Sequence, residues 1–123
     1  METKTRYSDE ELEEFRLIIE EKLNVARNNH GNLMRQLMNA DENDTPSSYN
    51  MLEEGSVSQA KEEMTMMASR ELKFIQGLEA ALVRIKTKTY GIDRKTGELI
   101  PKERLRAVPH TTLSVESKNS RNK

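Results

Sequence analysis

The side chains that bear most directly on metal chemistry in this sequence are two histidines, since it contains no cysteine. His30 and His110 are its only strong nitrogen ligands, and they lie in different segments. Because zinc prefers thiolate and imidazole ligands, we expect no structural zinc site. Without cysteine the chain cannot form a disulfide. The two histidines also lack triad spacing, so we predict ordinary helix-seam and loop roles for them.

Motifs of known catalytic chemistry are missing as well. The sequence has no G-x-S-x-G elbow, no Walker loop, no H-E-x-x-H helix and no cysteine nucleophile. We therefore predict that the protein is not an enzyme and uses no cofactor. The remaining candidates for function are interaction surfaces, which the secondary structure must position.

The composition favours a slender helical protein over a broad globular core. The chain has 123 residues, of which 34% are hydrophobic and 33% charged, and it has no Trp. Leu, Met, Ile, Glu, Lys and Arg suit helices that pack along one seam. An extended helical pair follows from this balance.

Charge and hydropathy argue against two kinds of partner. With 20 basic and 21 acidic residues the formal net charge is -1, which does not favour a polyanion, so we predict no direct sequence-specific DNA binding. No run approaches the roughly 18 apolar residues of a spanning helix, and residues 1–8 are polar. We expect no membrane association and a cytoplasmic location.

The first long helix is predicted over residues 9–39, after an N-terminal arm at residues 1–8. Ser8 and Glu11 have the S-x-x-E spacing of a capping box. Apolar residues then recur at spacings of three and four, the repeat of a two-helix seam, which only His30 interrupts. The seam residues are Leu12, Phe15, Ile19, Leu23, Ala26, His30, Leu33 and Leu37.

Residues 40–57, rich in Asn, Asp, Ser and Pro, are predicted to form an acidic tip loop. A second helix over about 58–86 follows, with Ser56-x-x-Gln59 as its candidate cap. Its seam is predicted from Met64, Met67, Leu72, Ile75, Leu78, Leu82 and Ile85. Two such helices bury their stripes by folding back on each other, so residues 9–88 should form an antiparallel coiled-coil hairpin.

Three methionines cluster in the second helix, at Met64, Met66 and Met67. We favour core filling as their role. The alternative is an adaptable contact surface, because methionine is flexible and polarizable.

The amino-acid composition changes after residue 88, where Gly91, Gly97 and Pro101 lie close together. These residues predict a tight hairpin. One helical turn is expected over residues 102–107 and a short last helix over about 112–118. The tail at residues 119–123 should be disordered.

Residues 89–118 resemble the finger of the DksA/TraR family of transcription regulators. The stretch YGIDRKTGELI, followed by RLRAVP and LSVESK, matches the family pattern YGxCxxCGxxI, RLxAxP and LCxxCK. The four zinc-ligand cysteines then fall on Asp93, Thr96, Ser114 and Ser117. The resemblance implies a mostly α fold, with an antiparallel two-helix coiled-coil hairpin followed by a small degenerate, treble-clef-like zinc finger.

Chemistry at these four positions argues against a metal. Asp93 suits a hard cation, but Thr96, Ser114 and Ser117 offer only neutral hydroxyls. We predict that these side chains satisfy local backbone groups instead. A small apolar core should replace the metal, made by Ile92, Leu99, Ile100, Leu105, Val108 and Leu113.

The resemblance also implies a partner. Family members insert the hairpin into the secondary channel of bacterial RNA polymerase and change promoter output without touching DNA. The family's D-x-x-D-x-A tip falls on Asn50, Glu53 and Gly55, of which only Glu53 is acidic. The alternative is that this loop is a solvated acidic bend without a binding role.

Some family members bind a guanosine tetraphosphate alarmone between the second helix and the finger. The matching positions include Gly77 and Val108, which carry no charge, and Arg70 and Lys118, which do. Arg70 and Lys118 are therefore the candidate alarmone contacts.

A coiled-coil hairpin by itself leaves another function open. A non-transcriptional adaptor or a small chaperone-like interaction protein shares the amphipathic hairpin and needs no finger.

Overall fold

The computed structural model describes residues 5–42 and 50–121 of the chain. In these residues it has four helices, which are α1 (Asp9–Glu42), α2 (Asn50–Lys86), α3 (Lys102–Ala107) and α4 (Val115–Arg121). The only β-pairing among the described residues is an isolated antiparallel bridge between Ile92 and Leu99. The predicted mostly α fold, a coiled-coil hairpin followed by a small finger-like segment, is confirmed.

Several predictions fall partly outside this range. They concern the first four residues of the N-terminal arm, the part of the tip loop at residues 43–49, and the last two residues of the tail.

The start of α1 follows the predicted capping box. The backbone N–H of Glu11 donates to Ser8 Oγ at 3.1 Å, and the N–H of Ser8 donates to Glu11 Oε1 at 2.9 Å. The helix runs to Glu42 rather than Asn39, because no Gly or Pro interrupts the residues that follow Asn39. No helix in the described ranges is apolar enough over a sufficient length to cross a membrane.

The prediction for the start of α2 is wrong. The helix begins at Asn50, so Ser56 lies inside it instead of capping a helix at residue 58, and part of the predicted tip loop is helical. Residues 51–54 are good helix formers, and Asn and Ser are only weakly unfavourable inside a helix. Gly55 costs about 1 kcal/mol relative to Ala, which a helix of 37 residues tolerates.

The seam of α1 is confirmed, and that of α2 needs a correction. Met67 and Leu72 are exposed, at 51% and 43%, instead of facing the partner helix. The buried or half-buried positions that form the seam of α2 repeat with alternating spacings of four and three, and therefore pass through Ala68 and Glu71. They are Met64, Ala68, Glu71, Ile75, Leu78, Leu82 and Ile85. Sequence reasoning missed Ala68 because of its small size and Glu71 because of its charge.

The chain divides into two compact units. The finger-bearing unit consists of Met1–Asn24 and Gln76–Lys123, and the middle unit is Val25–Ile75. In the finger-bearing unit Phe15, Ile19, Leu78 and Ala81 have no exposed surface. Each unit contains one stretch of α1 and one of α2, paired antiparallel.

The middle unit has a thinner core. Ala26, Ala68 and Ile75 are its buried hydrophobic residues among those described, and His30 is half-buried at its predicted seam position. Met66 is 57% exposed and Met67 51%, so core filling is the wrong role for these two methionines. Met64 alone of the cluster is half-buried.

The finger segment agrees with its predicted elements except at its end. Helix α3 has the predicted bounds, but α4 begins at Val115 and continues to Arg121, so residues 119–121 are helical rather than disordered. The helix begins there because Ser114 Oγ accepts the N–H of Ser117 at 3.2 Å, the bond of a helix N-cap. No Gly or Pro follows to end it at residue 118.

Replacing Ile75 with Asp should lower the free energy of unfolding by roughly 3–5 kcal/mol, because it places an unpaired charge in a narrow apolar seam. Leu72→Asp is the matched control. Leu72 is 43% exposed, so that change should cost less than about 1 kcal/mol. Urea denaturation followed by circular dichroism measures both. Equal losses would show that the corrected register of α2 is wrong.

Candidate functional site

The turn at residues 91–100 is the tight hairpin that the sequence predicted. The N–H of Asp93 donates to the carbonyl of Glu98 at 2.7 Å, and the N–H of Ile100 donates to that of Gly91 at 2.7 Å. The N–H of Gly97 bonds the carbonyl of Asp93 at 2.7 Å, which closes the turn. Gly97 has a φ of +76°, a conformation that glycine adopts without steric cost.

A close approach at Gly91 joins this turn to the N-terminal segment. Gly91 has a φ of +81°, and a Cβ added to it would lie 2.6 Å from the ring of Tyr7. The Tyr7 hydroxyl donates a hydrogen bond to the carbonyl of Ile100. Tyr7 is thus part of the core and not of a free arm. The signal that could have found it is its place just before the capping box, where a hydrophobic residue often packs on the first helical turns.

Three aromatic rings form the core between α1 and the finger segment. The centroid of Phe15 lies 5.8 Å from that of Tyr7 and 5.4 Å from that of Tyr90. The Tyr90 hydroxyl donates to the carbonyl of Pro109 at 2.9 Å, and burial raises the pKa of Tyr90. Of the predicted small core, Ile100, Leu105 and Leu113 are buried. The other three members, Ile92, Leu99 and Val108, are half-buried.

Asp93 connects the two pairs of former zinc-ligand positions. Its Oδ1 accepts the backbone N–H groups of Lys95 at 2.8 Å and Thr96 at 3.3 Å. Its Oδ2 accepts the N–H of Ser114 at 3.0 Å and the hydroxyl of Ser117 at 2.6 Å. The residue is 1% exposed. One carboxylate therefore accepts two hydrogen bonds within its own turn and two from the start of α4, and so joins the two segments.

These bonds keep the carboxylate ionised. Desolvation raises the pKa of Asp93, but the hydrogen bonds from Ser117, Ser114 and Lys95 lower it more, and together they hold it well below its usual range. Bonds to an ionised acceptor are stronger than bonds between neutral groups. The negative charge is therefore part of what stabilises the finger segment.

The four positions do not fit zinc. Both oxygens of Asp93 are already occupied as acceptors, and Thr96 Oγ1 accepts the N–H of Glu98 at 3.2 Å. Ser114 Oγ caps α4, and Ser117 donates its hydroxyl to Asp93. Neutral hydroxyls are poor zinc ligands. Within the described ranges, no three His, Cys, Asp or Glu side chains are grouped so as to hold a metal ion.

His110 fills space beside α2. A Cβ on Gly77 would lie 3.1 Å from Cδ2 of His110, so the ring packs directly on this glycine. Arg84 Nη2 donates to the His110 carbonyl at 3.5 Å. Burial lowers the pKa of His110, and the positive charges of Arg84 and Arg104 lower it further. This packing is the loop role that the sequence predicted for His110.

The remaining predicted site residues are the candidate alarmone contacts and the candidate tip residues. Arg70 lies exposed in the middle unit and Lys118 exposed on α4, so their role as alarmone contacts stays a prediction. Asn50, Glu53 and Gly55 lie in the first turns of α2, and their side chains are outside the described part of the structure. Their role as a polymerase tip also stays a prediction.

The solved structure of the transcription factor DksA2 from Pseudomonas aeruginosa matches this architecture. The two have a TM-score of 0.80 at 22% sequence identity, and the match covers 90% of this chain and 82% of that one. The chain has the DksA/TraR fold. The resemblance stated from the finger motif is thereby confirmed for the fold.

The sequence comparisons cover less of the chain than this structural match does. No family model matches the sequence. The chain is 39% identical over 56 residues to general stress protein 16O of Bacillus subtilis strain 168. The matched stretch is 44% of this chain and spans only about a third, 34%, of that protein.

Acid should destabilise the protein partly through Asp93. Because the folded pKa lies below the unfolded value, the stabilisation is complete above about pH 4 and is lost as the pH falls toward the folded pKa. Asp93→Asn should lower the free energy of unfolding at pH 7 by roughly 2–4 kcal/mol and flatten its dependence on pH below about 4. Urea denaturation at pH values from 7 down to 3 measures both effects.

The matched control for Asp93→Asn is Glu98→Gln, at an exposed carboxylate in the same turn. It should change the free energy of unfolding by less than about 0.5 kcal/mol at pH 7. If Asp93→Asn keeps the acid profile of the wild type, the carboxylate does not stabilise the finger segment.

Chelation should leave the fold intact. We expect purified protein to contain no stoichiometric zinc by elemental analysis and to keep its Tm in excess EDTA, because hydrogen bonds and packing hold the finger segment. The positive control replaces all four positions together, as Asp93→Cys, Thr96→Cys, Ser114→Cys and Ser117→Cys. That variant should bind zinc and lose stability in EDTA. Unfolding of the wild type by EDTA would contradict the prediction.

Proposed function

We propose that the protein is a cytoplasmic regulator of transcription that binds bacterial RNA polymerase, with its helical hairpin inserted into the secondary channel and without sequence-specific contact to DNA. The observation that carries this proposal is the likeness to the transcription factor DksA2 over nearly the whole chain, at a TM-score of 0.80. The finger motif in residues 90–118 supports it independently, because it was found from the sequence.

The hairpin offers a surface suited to such a partner. Met34, Met38, Met66 and Met67 are 40–59% exposed on the middle unit. Methionine side chains are flexible and adapt to the surface of a partner at low cost. In this proposal they contact the channel wall and supply much of the binding energy of the stem.

The finger segment acts as the fixed base of the hairpin in this proposal. It is held to the first turns of α1 by two ion pairs, of Lys102 with Glu11 and of Arg106 with Glu14 at 3.4 Å, and Lys88, just before the segment, pairs with Asp9 at 3.1 Å. Exposed pairs of this kind contribute about 0–1 kcal/mol each, so they orient α3 more than they stabilise it. In this proposal the finger segment stays outside the channel and limits the depth of insertion.

Glu53 is the tip residue on which this proposal depends. It lies near the start of α2 and is the one acidic residue at the family's tip positions. A carboxylate delivered close to the catalytic magnesium of the polymerase would act on the reaction more than on affinity, because the stem supplies most of the contact area.

Glu53→Ala should therefore keep the protein bound to RNA polymerase and change its effect on transcription. Binding is measured by pull-down with the core enzyme, and the effect by multi-round transcription from a ribosomal promoter. Glu54→Ala is the matched control, because it removes a neighbouring carboxylate that does not match the family pattern. It should change neither binding nor transcription relative to the wild type.

Three outcomes decide between the hypotheses. A wild-type protein that neither binds the polymerase nor alters transcription would exclude the proposed function. Co-purification with another single polypeptide in its place would favour the adaptor. Loss of binding in Glu53→Ala would contradict the division of roles between stem and tip.

A further inference from the structure

All of the sulfur in this chain is in methionine side chains. The sequence has seven methionines, no cysteine and no tryptophan. A peroxide therefore meets no thiolate, and the thioether sulfur of methionine becomes its main target. Which methionines react then depends on whether solvent reaches their sulfur atoms.

Among the described residues of the middle unit, four methionines are exposed to solvent. On α1, Met34 is 40% exposed and Met38 59%, and their spacing of four residues places them on one face of the helix. On α2, Met66 is 57% exposed and Met67 51%. Met64, by contrast, is half-buried in the seam. A small oxidant in solution can reach the four exposed methionines, whereas packing shields Met64.

Oxidation of the exposed methionines would change the surface of the middle unit and not its core. Methionine sulfoxide is polar, so it disrupts packing where the side chain is buried and apolar contacts where the side chain meets a partner. The buried hydrophobic residues of this unit, among those described, are Ala26, Ala68 and Ile75, none of which is oxidised in this way. At the exposed positions the new oxygen stays in water, and the helix pair keeps its seam.

We propose that the exposed methionines, Met34, Met38, Met66 and Met67, are a reversible oxidation site at which hydrogen peroxide makes the apolar surface of the middle unit polar. At each sulfur an S–O bond forms while the O–O bond of the peroxide breaks. The sulfur gives up an electron pair, and the other peroxide oxygen leaves as water. A dithiol-dependent methionine sulfoxide reductase reverses the step, because it removes the sulfoxide oxygen as water and oxidises the dithiol to a disulfide.

The site coincides with the stem surface that contacts RNA polymerase in the proposed function, and its effect on that partner rests on the proposed function. The oxidised protein should bind the core enzyme at least about tenfold more weakly, because polar sulfoxides disrupt contacts that flexible apolar side chains make. Peroxide would thus release the regulator from the polymerase, and reduction would allow it to bind again.

The first test needs no partner. The full-length protein is treated with hydrogen peroxide, and oxidation is followed at each methionine by peptide mass spectrometry. The four exposed methionines should oxidise at least about threefold faster than Met64, and the helical circular-dichroism spectrum should be kept. The two stereospecific methionine sulfoxide reductases, with dithiothreitol, should restore the original masses. Oxidation of Met64 as fast as the others, or loss of helix as they oxidise, would overturn the site.

The second test measures binding to the core polymerase by pull-down with untreated, oxidised and re-reduced protein, after catalase has removed the peroxide. A variant with Met34→Leu, Met38→Leu, Met66→Leu and Met67→Leu keeps side-chain volume and helix propensity. It should bind like the wild type before and after peroxide. Met64→Leu is the matched control and should keep the sensitivity of the wild type.

The outcomes separate this inference from the function on which it builds. Untreated protein that does not bind the polymerase would exclude the proposed function, while the oxidation rates and the spectrum still decide the oxidation site. Equal binding of untreated and oxidised wild type would overturn the effect of oxidation on the partner. Loss of binding after peroxide in the variant with four leucines would show that the exposed methionines are not the site responsible.

Discussion

The carboxylate of Asp93 lies between the turn that follows it and the first turn of α4, and it accepts hydrogen bonds from both. In a zinc finger a metal ion joins two such segments, and metal binding supplies much of the folding free energy. Here a buried anion performs the joining. Its four donors offset the cost of removing the charge from water, which is the condition under which a buried carboxylate stays ionised.

The geometry fixed by Asp93 determines what the rest of the finger segment can do. The turn places Ile100 where its carbonyl accepts the Tyr7 hydroxyl, and Gly91 leaves room for the Tyr7 ring. Phe15 and Tyr90 complete the aromatic cluster that packs this segment on α1. The same arrangement brings Arg104 and Val115 to one groove. Packing and hydrogen bonding thus join these elements within the DksA/TraR fold.

The two units of the chain differ in which apolar side chains they bury. The finger-bearing unit fully buries large side chains such as Phe15, Ile19 and Leu78. In the middle unit two of the three buried hydrophobic residues among those described are alanines, and methionines remain exposed. Sparse burial lowers local stability, and exposed methionine adapts to varied surfaces. These properties agree with the role of the stem in the proposed function.

The candidate site was only partly accessible to sequence reasoning. The register of the finger motif placed Asp93, Thr96, Ser114 and Ser117 at the ligand positions, and their hydroxyl chemistry predicted local hydrogen bonds in place of zinc. The sequence did not reveal that Asp93 accepts hydrogen bonds from Ser114 and Ser117 as well as from the backbone of its own turn, because residues 93 and 117 meet only in the folded chain. Tyr7 was missed although it lies just before the capping box, because its partners Gly91 and Ile100 are far from it in the chain.

The sequence by itself determined the presence of two long amphipathic helices, the capping box at Ser8, the tight turn near Gly97 and the bounds of α3, because each depends on interactions between near neighbours in the chain. The tertiary structure decided the rest. Leu72 and Glu71 are adjacent, so a rotation of α2 about its axis by one residue decides which of them lies in the seam. The packing of α2 against α1 sets that rotation. The start of α2 at Asn50 depends on the whole helix, whose length offsets weak helix formers and Gly55. The hydrogen bonds of Asp93 to Ser114 and Ser117 join segments more than 20 residues apart, and local patterns in a sequence do not encode such contacts.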